Sequence, residues 1–116
     1  MFSLFKKNID NNSEYKFHDP ENTACFVCDH VFNRQKPILH VSHDQEDGYW
    51  QFLCGQTKHE EANAKIISLK SATQIDSSIN DLFEMPLGFG ADRKSIKDKW
   101  KLYKLEEEIN EDNKAL

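Results

Sequence analysis

Residues 38–55, ILHVSHDQEDGYWQFLCG, spell a β-hairpin. In ILHVSH (38–43) Leu39 and Val41 fall on one face, with Ile38 and His40 on the other. In YWQFLCG (49–55) Trp50, Phe52 and Cys54 share a face. Between them DQEDG (44–48) is a turn, in which Asp47 supplies local hydrogen bonds and Gly48 the backbone freedom. The pairing predicts a core face with Trp50 and Phe52 opposite Leu39 and Val41. Asp44, Glu46 and Asp47 lack the spacing of a calcium loop and read as a solvated hairpin tip.

Outward from the hairpin, FVCDHVF (26–32) reads as one strand. It places Phe26, Cys28, His30 and Phe32 on one face and Val27, Asp29 and Val31 on the other. Residues 33–37 then turn. HEEANA (59–64) is a helical turn and KIISL (65–69) another strand. SATQI (71–75) and SSINDLF (77–83) are short helices on either side of Asp76, which caps the second. Pro86 stops that helix. MPLGFGADR (85–93), with Gly88 and Gly90, reads as an irregular loop and an alternative binding surface around Phe89. WKLYKL (100–105) fits either a helix or an edge strand guarded by lysines. The sum is an α+β fold: an antiparallel sheet of about four strands with short helices on one side. Residues 1–24 form a polar leader, 25–105 a single domain and 106–116 a frayed acidic tail.

With 116 residues the chain has room for one domain. Its 38% apolar content is lean, but eight Phe, three Tyr and two Trp supply large buried areas and argue against general disorder. A net charge of −5 argues against nonspecific nucleic-acid binding and suits a basic protein partner. No apolar run has the length of a membrane span, and MFSLFKKNID lacks the apolar core of a signal peptide. The expected setting is the cytoplasm, with no membrane partner.

Three cysteines are an odd number, which reads as free thiols or metal ligands rather than a disulfide framework. Cys25 and Cys28 have C-x-x-C spacing, and Cys54 and His59 follow as C-x-x-x-x-H. Together they would make a Cys₃His set of the kind tetrahedral zinc takes. The competing reading is that the thiols are buried core residues. The C-x-x-C does not open a helix after a strand, so it lacks the redox context. His30, His40, His43 and His59 offer bases, but no nucleophile turn or triad order accompanies them, and no phosphate-binding glycine loop is present. No catalytic residue is assigned, and zinc is the sole cofactor this composition suggests.

The segments CxxCxxV at 25–31, 38–55, AKIISL at 64–69 and IDSSINDLFEMPLGFGADR at 75–93 together resemble a group of small uncharacterised bacterial proteins. That group shares a Trp-Gln-Phe-Leu-Cys-Gly strand and a Leu-Pro-x-Gly loop before a late Trp. The order is also similar to a toxin-immunity domain of bacterial toxin systems, with Gly-Tyr-Trp at 48–50 and Leu-Cys-Gly at 53–55 as departures. The resemblance implies a protein-binding module that occludes one cognate partner through an acidic face, and brings no catalytic residues. The alternative is a small zinc-binding protein with a structural Cys/His site.

Overall fold

The computed structural model describes residues 14–55 and 64–105. In chain order the elements are β1 (Ala24–Val27), α1 (Asp29–Phe32), β2 (His40–His43), β3 (Trp50–Leu53), β4 (Lys65–Ser68), α2 (Leu69–Ile75), a 3₁₀ helix (Ser77–Leu82), β5 (Phe89–Asp92) and β6 (Lys101–Lys104). The strands form one sheet in the order β4-β1-β3-β2-β5-β6. The fold is α+β as expected, but the sheet has six strands and is mixed, because β1 runs parallel to β3.

The hairpin forms with the anticipated faces. β2 and β3 pair antiparallel, with Val41 opposite Phe52 and His43 opposite Trp50. Asp44 and Asp47 accept backbone N–H bonds from Glu46 and Tyr49, and Gly48 sits at φ +76°, where a Cβ would be strained. Val41, Trp50 and Phe52 are fully buried. Ile38 is buried as well, whereas Leu39 is only half-buried, because the strand begins at His40 and Ile38 lies outside its alternation.

Two expectations are corrected and one open alternative is settled. Residues 26–32 are not one strand: β1 ends at Val27, Cys28 is the N-cap of α1, and Asp29–Phe32 turns as a short helix. Residues 89–92 are a strand, not part of a loop. Gly90 tolerates this position because Tyr103, its partner on β6, fills the space a side chain would need: a Cβ there would lie 3.2 Å from the Tyr103 ring. The 100–105 segment resolves to an edge strand, β6.

The two helices beside Asp76 are present. Asp76 caps the 3₁₀ helix by accepting from the Ser78 backbone N–H at 2.9 Å, and Ser68 caps α2 through Ser71 N–H. The helix ends at Leu82, ahead of Pro86. Leu69 and Ala72 from α2, and Ile79 and Leu82 from the 3₁₀ helix, join one core with Cys25, Val27, Trp50, Phe52 and Ala91. Residues 14–23, within the leader, contribute to it too. Phe17 is 5% exposed and meets Trp50 edge-on at 4.9 Å. Lys16 N–H donates to Asn80 Oδ1, and Thr23 and Glu21 carbonyls accept from the first turn of α2. Among the described residues no helix is long and apolar enough to cross a membrane.

Candidate metal centre

The parallel pairing of β1 and β3 brings two strand ends to the same place. Phe26 pairs with Gln51 and Val27 with Phe52, so Cys28 and Cys54 emerge side by side as the strands finish. Cys28 stays extended (φ −81°, ψ 164°) and its carbonyl accepts from Phe32 N–H, which closes α1. That single turn carries His30 back toward the sheet. The ligand atoms of Cys28, His30 and Cys54 lie within 4.8 Å of one another.

The spacing suits a tetrahedral ion. Zinc bonds of about 2.3 Å to sulfur and 2.0–2.1 Å to nitrogen put the two donors roughly 3.6 Å apart at a tetrahedral angle. His30 Nδ1 and Cys54 Sγ are 3.7 Å apart. Both thiols are buried, and the His30 side chain is about a third exposed. Asp29 supports the same interpretation: among the described residues its buried Oδ1 has no hydrogen-bond partner, and it lies 3.8 Å from His30 Nδ1. A buried carboxylate oxygen left so is costly unless positive charge stands nearby. Two thiolates and an imidazole are the soft and borderline donors zinc prefers.

Of the four candidates from sequence, Cys28 and Cys54 meet here, and Cys25 does not. Cys25 points into the core from the middle of β1, fully buried, and burial pushes its thiol up to about 12. It therefore stays protonated and behaves as a small hydrophobe. His59 lies outside the described residues. His30 was legible only as a base. The strand assigned to 26–32 placed it on the Cys28 face, and the actual helical turn brings the pair to Cys54.

A second cluster spans β2, β5 and β6. His40 Nδ1 donates to Asp92 Oδ1, and Tyr103 Oη donates to the same oxygen at 3.2 Å. These groups sit across β2, β5 and β6 beside a groove that Leu39, Leu53, Gly55 and Lys94 also line. Burial, with the Asp92 charge and hydrogen bond, pushes the Tyr103 phenol up to about 12. His40 faces away from the hairpin core, as the alternation predicts; Asp92 lies on β5, in a segment whose two glycines read as a loop.

The raised groups predict alkaline instability. Cys25 moves from 9.0 to about 12 by burial, and Tyr15 and Tyr103 from 10.0 to about 12. Folding holds these protons more tightly than the unfolded chain does. The stabilisation is complete below pH 9 and is lost as pH rises toward 12. Thermal melts across that range should show Tm falling steeply, and less steeply for Cys25→Ala. Equal slopes in the two proteins would contradict the assignment to Cys25.

The fold and this centre define the class: a small α+β protein with a Cys/His group that could hold a metal ion. No protein-family model, no curated protein and no solved structure matches the chain.

Proposed function

We propose that the chain is a small zinc-binding protein in which Cys28, His30 and Cys54 hold the ion and the ion serves a structural role. The observation that carries this is the convergence of three ligand atoms where two parallel strands end. A metal there ties β1, α1 and β3 together, and thiol-rich buried sets are typical of structural zinc. Three protein donors leave a fourth position of the tetrahedron for a further ligand. Nothing in the geometry favours the toxin-immunity reading over this one.

Zinc content after dialysis against micromolar zinc tests the proposal. Wild type and Cys25→Ala should retain one ion. Cys28→Ser, His30→Ala and Cys54→Ser should each weaken binding by more than about 100-fold. Stripping zinc with a chelator should lower Tm in wild type and leave Cys28→Ser unmoved. Absence of zinc from wild type, or equal loss in Cys25→Ala, would overturn it.

A further inference from the structure

We infer that the outer edge of β6 docks an extended acidic segment of a partner protein. The inference stands apart from the metal centre and rests on backbone geometry and charge.

β6 is the last strand of the sheet, paired on one side only among the described residues. Leu105 N–H donates inward to Gly88 O at 2.8 Å. Residues in phase with it, Tyr103 and Lys101, therefore turn their backbone groups toward β5. Leu102 and Lys104 turn theirs outward, offering two N–H donors and two carbonyl acceptors to an added strand. Side-chain anchorage is available on the strand itself, with Leu102 47% exposed.

Charge selects the kind of strand. Residues 93–104 hold Arg93, five lysines (94, 97, 99, 101 and 104) and one acid, Asp98, for a net +5. The whole chain carries −5, so the remainder carries −10. Arg93 is committed to Asp76, but all five lysines are exposed, and none forms an ion pair among the described residues. An acidic segment is repelled by the rest of the protein and steered to this strip. The lysines also explain why a second copy of the chain does not fit: β6 against β6 would set like charges face to face. Strand addition at a sheet edge, with backbone bonds for affinity and charge for choice, is a known recognition mode.

The test uses the full chain and a fluorescent peptide of about eight residues alternating Glu with Val or Ile, read by anisotropy. At low salt the peptide should bind. Lys101→Glu with Lys104→Glu should weaken binding more than about tenfold, as should physiological salt, since exposed charges are screened beyond about 8 Å. Lys70→Glu, on α2 beside β4 at the other edge of the sheet, should change it little. Methylating alternate peptide nitrogens should abolish it, because the added strand loses its backbone bonds. Equal binding by the β6 variant or by the methylated peptide would overturn the inference, as would no binding at low salt. Tighter binding of a single-stranded oligonucleotide would overturn it in favour of a nucleic-acid edge. Binding seen only after Glu106, Glu107 and Glu108 are changed to Gln would overturn the partner and give the edge to the chain's own acidic stretch.

Discussion

Replacing Arg93 with alanine should lower the unfolding free energy by about 3–5 kcal/mol, the cost of breaking a buried ion pair from one side. Its side chain is 2% exposed. Nε and Nη2 both donate to the Ile38 carbonyl, at 3.0 and 2.9 Å, and Nη1 donates to Ser78 Oγ at 2.9 Å. Nη2 also reaches Asp76 Oδ2 at 2.7 Å, and the guanidinium lies 4.1 Å from the Trp100 ring centre. One planar fork thus joins the start of β2, the cap of the 3₁₀ helix and the segment leading into β6. Alanine leaves the Asp76 carboxylate and the Ile38 carbonyl without these donors. Lysine keeps the charge but cannot bond three elements at once, so Arg93→Lys should recover only part of the loss. Equilibrium unfolding in urea measures both. A loss below about 1 kcal/mol for Arg93→Ala would show the network to be a surface-type pair.

Trp50→Ala should cost a similar amount, about 3–5 kcal/mol, by cavity formation. Trp50 is 1% exposed, stacks on His43 with centroids 3.8 Å apart, and takes the edge of Phe17 at 4.9 Å. His43 is held in that stack because its Nδ1 donates to the Met85 carbonyl at 2.9 Å. Trp50 Nε1, however, is buried with no hydrogen-bond partner among the described residues. Trp50→Phe removes that unsatisfied donor along with some volume, and the two effects oppose one another. The expected loss is therefore about 1 kcal/mol or less for phenylalanine. Urea unfolding of the two variants separates packing from polarity; equal large losses would mean that the indole nitrogen has a partner.

The hairpin was legible because two local signals agree in it: alternation at period two and a turn with an Asp and a Gly in the right places. The candidates at 38–43, 49–55 and 65–69 appear as strands, 26–32 keeps strand only to Val27, and Asp76 could be recognised as a cap from its position before Ser-Ser-Ile. What was hidden depends on partners distant in sequence. Gly88 and Gly90 suggest a loop until Tyr103 is placed over Gly90. The parallel β1–β3 pair has no local signature, since its members are joined through α1 and β2. The metal centre inherits that difficulty. C-x-x-C drew attention to Cys25, yet the strand keeps Cys25 in the core and delivers Cys28 instead. His30 joins only because the strand stops at Val27 and the next four residues turn.

The measurement that bears most directly on the zinc centre is native mass spectrometry of untagged protein purified without chelator. The predicted result is a mass excess of one zinc, lost on acidification and lost in Cys28→Ser and His30→Ala. A bare chain mass after exposure to micromolar zinc would contradict the account, leaving Cys28 and Cys54 as core thiols and His30 as their hydrogen-bond neighbour.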